Sequence, residues 1–484
     1  MGRLVVVSNR VPVPREGQPS SGGLAVALEG ALRQRGGLWF GWSGKTCGAA
    51  EPEGPEIIES GNVCYVVVDL TTRDLDEYYN GYANRALWPL FHYRMDLTEF
   101  ARNDMAGYFR VNKGFARLLA PRLKRDDLVW IHDYHLIPLA AELRAQGVEN
   151  RMAFFLHIPF PPPDVLTTLP AHAELVRSLC TYDVVGFQTD YDAENFVSYL
   201  VRERIGRRSG EHWVEAFGRR IHVRAFPVGI ETEAFAAEAR QAENATLVRR
   251  ARQSVGGREL LIGVDRLDYS KGIAQRIEAF ERFMTVNPQF RGRVTYMQIT
   301  PKSREDVPEY VAMERVVAEI AGRVNGSLGD VDWTPIRYVN RTIRRSALAG
   351  LYRGARVGLV TPLRDGMNLV AKEYVAAQDP GDPGVLILSR FAGAARELDA
   401  AVLVNPYDVE DIAGAILRAV TMPLGERRAR WRAMMDMLEY NDVDRWCTTM
   451  LAALAGEDFI ESPPPKSERP WELPGDGEPM ALAG

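Results

Sequence analysis

Short apolar runs punctuate this chain, each followed by polar residues and then by a stretch with helical spacing. The runs are Leu4–Val7, Leu128–Ile131, Met152–Leu156, Asp183–Phe187, Val223–Val228, Leu260–Val264, Val294–Ile299, Val357–Val360, Val385–Leu388 and Ala401–Val404. Most are continuous rather than alternating, as expected for strands covered on both faces of a parallel sheet. Helical spacing fills the gaps, for example over Leu24–Arg35, Ala274–Val286, Val307–Arg323 and Asn368–Gln378. Strand–helix alternation over roughly 400 residues predicts an α/β architecture.

One sheet of ten strands would be large, and a single domain of 484 residues is unusual. After Gly229-Ile230 the segment Glu231–Val255 turns polar, helical in pattern and strand-poor. It predicts two domains of similar size, 1–230 and 231–460, with the last helices able to return to the first. The stretch 461–484 carries Pro463, Pro464, Pro465, Pro470, Pro474 and Pro479 and reads as extended or disordered. A second proline- and glycine-rich stretch, Pro12–Gly23, joins the first strand to the first helix. In such folds that kind of junction carries function and suits a lid that orders on ligand binding.

Composition narrows the class. The chain is 46% hydrophobic and 25% charged, which excludes wholesale disorder. With 64 acidic against 59 basic residues and a net charge of −5, it lacks the broad basic field of a nucleic-acid binder. Cys47, Cys64, Cys180 and Cys447 form no C-x-x-C, and no Cys/His cluster has zinc spacing. Sparse cysteine in a large chain fits a reducing compartment. No apolar run approaches the roughly 18–20 residues that span a bilayer. Leu4–Val7 is too short for a signal-peptide core, and Val6 breaks the myristoylation pattern begun by Gly2. A cytoplasmic protein without membrane or nucleic-acid partners is the expectation.

Ligands of open α/β sheets bind beyond the carboxyl ends of the strands. The residues found there are Ser8-Asn9-Arg10, His132-Asp133, His157, Asp265-Arg266, Lys271, Arg304 and Arg364-Asp365-Gly366. Both halves contribute, which implies a cleft between domains, and the cations point to phosphate. VDRLDYSKG (264–272) places Arg266 and Lys271 at a strand end, as a diphosphate clamp or as an ordinary charged loop. RDGMNLVAKE (364–373) opens a helix with Asn368, Leu369 and Val370, an anion site or a plain N-terminal cap. Glu373 lies one turn in, where it could accept from ribose hydroxyls, and Asp365 from sugar hydroxyls. Gly22-Gly23 would let a phosphate or sugar approach the backbone, or simply loosen a loop. Trp42 and Trp88 could stack on a sugar or fill a core.

Two motifs are decoys. FGWSGKT (40–46) ends like a P-loop, but Trp39 stands where that motif needs glycine. DVDWT (330–334) matches the pattern of aspartate-nucleophile phosphatases, yet it follows a polar, glycine-rich stretch instead of ending an apolar strand. The pairs Asp74/Asp76 and Asp330/Asp332 could hold a metal. Arg266 and Lys271 offer a diphosphate the same counter-charge, so no metal and no cofactor are expected.

Together these segments resemble the trehalose-6-phosphate synthases, retaining glycosyltransferases of the two-Rossmann GT-B type. The resemblance runs from about Arg3 to Asp444 through VVVSNR, SGGLAVAL, GLWFGWSG, LDEYYNGYANRALWPLFHYR, VWIHDYHL, FFLHIPFP, VDRLDYSKG, TPLRDGMNLVAKEYVAAQDP and VNPYD. It implies UDP-glucose as donor and glucose 6-phosphate as acceptor, with GDP- and ADP-glucose left open by the unread base contacts. By resemblance the C-terminal domain holds the nucleotide sugar through Arg266, Lys271, Ile343, Asp365, Leu369, Val370, Ala371, Lys372 and Glu373, with Gly22 and Gly23 beside it. Arg10, Trp42, Tyr79, Trp88, Asp133 and Arg304 would line the acceptor site, with Arg10 and Arg304 on the phosphate. Asp365 and His157 would attend the transferred glucose. Ile343 stands where relatives can carry a bulkier aromatic, which bears on nucleotide preference. The resemblance also implies a homo-oligomer, dimer or tetramer. A glucosylglycerol-phosphate synthase keeps the fold and changes the acceptor; a sugar-phosphate sensor would have lost Arg266, Lys271, Asp365 and Glu373. A bifunctional synthase–phosphatase is disfavoured by how soon the chain stops after the transferase region.

Overall fold

The computed structural model describes residues 2–13, 28–33, 36–48, 54–301 and 308–457. The chain forms two compact units. The first holds the chain up to Val228 and takes back the helix Val443–Ala455; the second holds Gly229–Asp442. Each unit has a largely or wholly parallel sheet whose central strands are buried along nearly their whole length.

The first unit has strands β1 (Leu4–Arg10), β2 (Gly37–Thr46), β3 (Glu56–Ser60), β4 (Val63–Leu70), β5 (Leu128–His132), β6 (Met152–Phe155), β7 (Val184–Phe187), β8 (Gly206–Gly210), β9 (Trp213–Ala216) and β10 (Arg219–Ala225). They stand in the order β3-β4-β2-β1-β5-β6-β7-β10-β9-β8. The interior pairs are parallel, and only β3 on one edge and β8–β9 on the other run antiparallel to their neighbours. The closing helix Val443–Ala455 covers β5 and β6 with Trp446, whose ring lies 4.9 Å from Trp130 and 5.2 Å from Phe155.

The second unit has strands β11 (Glu259–Val264), β12 (Val294–Ile299), β13 (Ile336–Val339), β14 (Val357–Val360), β15 (Val385–Ser389) and β16 (Val402–Val404). All its pairs are parallel, in the order β13-β12-β11-β14-β15-β16. This is the doubly wound 3-2-1-4-5-6 order, whose direction reverses between β11 and β14. Leu261, Ile277, Phe280, Tyr296, Leu359, Ile387 and Ile416 sit in its core, all fully buried.

Each predicted apolar run meets a strand, although β10 starts and ends earlier than Val223–Val228 implies. The expectation omits β2, β3, β4, β8, β9 and β13. β3 and β8 are edge strands with exposed polar positions, and β9 beside β8 alternates buried and half-buried residues, so no continuous apolar run marks them. β2 is interrupted by glycines and ends exposed. FGWSGKT lies inside β2, not in a strand-to-helix loop, and DVDWT precedes β13 as a small Asp330–Trp333 bridge. Neither decoy has its motif's setting. No helix among the described residues is long and apolar enough to cross a membrane.

Candidate active site

In the second unit the chain leaves β11, passes a tight turn at Tyr269–Lys271 and enters the helix Ile273–Val286 through Gly272. Gly272 has φ 63°, and a Cβ there would lie 2.6 Å from Thr361 O, so this position requires glycine. Leu363 N donates to Ser270 O at 2.7 Å and ties the loop after β14 to the loop after β11. At this junction Lys271 Nζ meets Asp365 Oδ2 at 2.6 Å, with both side chains nearly buried. Asn368 donates Nδ2 to the same oxygen at 2.9 Å. The loop after β15 holds the backbone here: Gly393 N donates to the main-chain carbonyl of Asp365, and a Cβ on Gly393 would run into Gly366 O.

Asn368 also caps the helix Leu369–Ala377, accepting from Ala371 N. The other first-turn N–H groups, those of Leu369 and Val370, are left at the positive end of the helix dipole, where an anion is favoured. Two residues that the resemblance assigns to the donor are engaged within the unit: the Ala371 N–H goes to the cap, and the Lys372 ammonium is fully buried 2.6 Å from Glu397 Oε2. Arg266 is exposed beyond β11, and Ile343 is half-buried ahead of the helix Arg345–Arg353. Burial pushes the Glu373 carboxyl up to about 7; Arg345 opposes the shift and Glu238 adds to it.

Beneath the clamp lies Arg276, which is fully buried. Its guanidinium donates to Asp265 Oδ2 at 2.6 Å, Thr361 Oγ1 at 2.9 Å, Gln298 Oε1 at 3.2 Å and the carbonyl of Lys271 at 3.2 Å. One side chain therefore fixes the ends of β11, β12 and β14 and the backbone of Lys271. Burial raises the Asp265 carboxyl, and Arg276 and Lys271 counter it.

In the first unit the sheet order reverses between β1 and β5. Arg10, at the exposed end of β1, lies 6.0 Å from the Trp42 ring. Trp42 packs on Tyr79 at 5.5 Å, and Tyr79 stacks on His135 at 5.8 Å with the rings 11° apart. His135 adjoins Tyr134, whose ring lies 5.7 Å from Trp88. Arg10, Trp42, Tyr79 and Trp88 thus join one aromatic row. Tyr79 belongs to a π-helix, Leu75–Leu87, a geometry frequent at functional sites. The wider turn is closed by Asn84 Nδ2 donating to Tyr79 O at 2.8 Å.

Asp133 follows β5 with φ 75° and ψ 163°. For a residue with a side chain that backbone is strained by about 1–3 kcal/mol, and such strain clusters at functional sites. Its Oδ1 accepts from His157 N at 3.3 Å. The His157 imidazole contacts His132, Nε2 to Nδ1, at 3.1 Å. Burial holds both rings neutral, pushing His157 down to about 3 and His132 well below its ordinary value. Gly22, Gly23, Arg304 and most of the Pro12–Gly23 loop lie outside the described residues, as does the proline-rich stretch 461–484.

Sequence reasoning places His132 at a strand end and Asn368 at the helix opening, but misses Arg276 and His135 as parts of these sites. Arg276 carries no local signal, because an arginine one turn into an amphipathic helix reads as a solvated face.

Two doubly wound units, with cations and a helix N-terminus at the switch point of the second, define the class: glycosyltransferases of the GT-B fold. The chain belongs to glycosyltransferase family 20, whose model matches residues 2–456. It is 62% identical over 453 residues to the trehalose-6-phosphate synthase of Sinorhizobium fredii, covering 93% of this chain and 98% of that one. A UDP-forming α,α-trehalose-phosphate synthase from Burkholderia xenovorans, solved in complex with glucose 6-phosphate, superposes with a TM-score of 0.90 at 47% identity, covering 94% of this chain and 100% of the other. An E. coli protein bound with UDP-2-fluoro glucose gives 0.89 at 45% identity, covering 94% and 99%.

Proposed function

We propose that the protein transfers glucose from UDP-glucose to glucose 6-phosphate with retention, forming α,α-trehalose 6-phosphate and UDP. The observation that carries this reading is the Lys271–Asp365 pair at the switch point, beside the N-terminus of the helix Leu369–Ala377. A cation and two first-turn N–H groups suit a diphosphate, and a carboxylate held between Lys271 and Asn368 suits a sugar hydroxyl. The Burkholderia and E. coli relatives, crystallised with the acceptor and a donor analogue, support the same pair of substrates.

In this reading Arg266, Lys271 and the N–H groups of Leu369 and Val370 hold the donor diphosphate, with Gly22, Gly23 and Ile343 alongside. Glu373 takes the ribose. Asp365 and His157 take hydroxyls of the transferred glucose. Arg10 and Arg304 take the acceptor phosphate, and Trp42, Tyr79, Trp88 and Asp133 take its sugar. Breaking the glucosyl–phosphate bond builds positive charge on the sugar and negative charge on the departing diphosphate. The cations and the helix N-terminus stand where the negative charge grows, which lowers the barrier. A leaving phosphate oxygen that takes the proton of the acceptor hydroxyl on the same face gives retention without an enzyme nucleophile. UDP release from UDP-glucose and glucose 6-phosphate, with an α,α-1,1-linked product by NMR, is the expected result; turnover only with another acceptor would move the specificity. Intact mass after donor incubation should show no glucosyl adduct, whereas a trapped adduct would mean double displacement.

Because protein cations supply the counter-charge, turnover should persist in excess chelator; activity lost to chelation and restored by a divalent ion would refute a metal-free site. We place the enzyme in the cytoplasm, as a homo-oligomer. Its four cysteines, none of them in a disulfide, agree with a reducing compartment.

Glu373 gives the donor step a pH signature. Its carboxyl, raised from 4.5 to about 7, must be ionised to accept from the ribose hydroxyls. Donor affinity should therefore rise as pH increases through 7, with proton release on binding, read by calorimetry in two buffers. In the unliganded protein the sign is opposite. The charged carboxylate opposes folding, an effect absent below 4.5 and complete above about 7. Glu373→Gln should raise the melting temperature at pH 8 while weakening the donor by about 1.5–3 kcal/mol, the worth of a hydrogen bond to a charged group. Equal donor affinity at pH 6 and 8 would remove Glu373 from the ribose.

A further inference from the structure

His132 is the last residue of β5, is almost fully buried and has no place in the substrate contacts above. Its Nδ1 lies 3.1 Å from Nε2 of His157, and the two rings are only 23° from coplanar, with centroids 5.4 Å apart. This is an in-plane, edge-to-edge hydrogen bond between two imidazoles. Burial keeps both uncharged, so the contact holds a single proton, and its owner sets the tautomer of each ring.

The surroundings decide the owner. His132 packs 4.6 Å from Trp130 and 6.3 Å from Trp446, ring to ring. Among the described residues the indole N–H groups of Trp130 and Trp446 and the Nε2 of His132 have no hydrogen-bond partner. If His157 gave the proton, His132 would carry its own on Nε2. Three buried donors would then share one aromatic cluster with no acceptor. If His132 Nδ1–H donates, its Nε2 is a lone pair facing a cluster that holds two indole donors. The second arrangement strands fewer donors, and buried donors without acceptors are the rarer and more unfavourable case.

We infer that His132 is a positioning residue that donates to His157 and locks it as the Nδ1–H tautomer, so that the nitrogen left for a ligand is a hydrogen-bond donor and not a base. His157 is partly exposed. It would accordingly grip an oxygen of the donor sugar by donating to it and take no proton during transfer. The contact between the two rings stands on geometry alone; the ligand it serves rests on the function proposed above.

The test uses the full-length protein labelled with 15N-histidine. With seven histidines the long-range 1H–15N spectrum is sparse, and the signals lost in His157→Asn assign the ring. The wild type should show His157 protonated at Nδ1. His132→Phe, which keeps an aromatic ring in the cluster, should shift His157 toward the Nε2–H tautomer and lower kcat with KM for glucose 6-phosphate unchanged. His132→Asn places an amide donor near the former Nδ1 and should restore both the tautomer and kcat. A wild-type His157 protonated at Nε2 overturns the inference, even if no variant folds. So does an Nδ1–H signal that survives in His132→Phe. Failure of the wild type to turn over UDP-glucose with glucose 6-phosphate, with the Nδ1–H signal present, would overturn the proposed function and leave the pairing of the rings intact.

Discussion

Lys271→Met should lower kcat/KM for UDP release by about 10²–10³-fold, the usual loss when one preorganised donor to a developing anion is removed. It should also destabilise the second unit, because the substitution leaves Asp365 in a nearly buried site without the ammonium 2.6 Å away. Breaking a buried pair from one side typically loses about 3–5 kcal/mol. The two effects separate in a double variant. Lys271→Met with Asp365→Asn removes both charges, so it should recover much of the stability, read by urea unfolding, and none of the turnover. Wild-type turnover in Lys271→Met would take this lysine away from the diphosphate.

Arg276→Met should be the most damaging single change to stability in the second unit, by about 3–5 kcal/mol. It removes four hydrogen bonds at once and leaves the Asp265 carboxylate buried and unpaired. The Lys271 carbonyl also loses its anchor, so UDP affinity should fall even in the fraction that remains folded. Arg276→Lys keeps the charge but not the planar fork that reaches four acceptors, and should recover only part of the loss. An unchanged urea midpoint in Arg276→Met would mean that the ends of β11, β12 and β14 are held by something other than this side chain.

The contrast between these two residues marks what was legible in the sequence. Lys271, Asp365 and Asp133 lie in the loops that follow apolar runs, and the rule that ligands gather at strand ends picks them out from the order of residues alone. Arg276 acts from inside a helix, through side-chain partners that are 11, 22 and 85 positions away and a carbonyl 5 positions away, and no local pattern encodes such a set. His132 has the same difficulty in milder form: it closes an apolar strand, and its meaning depends on β6 lying alongside. The π-helix Leu75–Leu87 packs against the helix Arg102–Leu119, where Gly81 and Gly107 allow close approach, a tertiary contact that no local pattern announces. Lys372 is assigned to the donor by resemblance alone, and only the tertiary fold shows its ammonium paired with Glu397.

The return of Val443–Ala455 to the first unit bears on the order in which the chain can mature on the ribosome. Nascent proteins usually complete their N-terminal domain first. Here Trp446, which covers Trp130, His132, Phe155 and His157, leaves the exit tunnel only after all of Gly229–Asp442 has been synthesised. The second unit, an insertion whose two ends meet where Gly229 abuts Asp442, has its whole sequence available earlier. The unit begun first is therefore finished last, and the aromatic cap over His132 and His157 is among the final pieces to arrive. A chain released shortly before Val443 would carry every proposed site residue and still lack that cover.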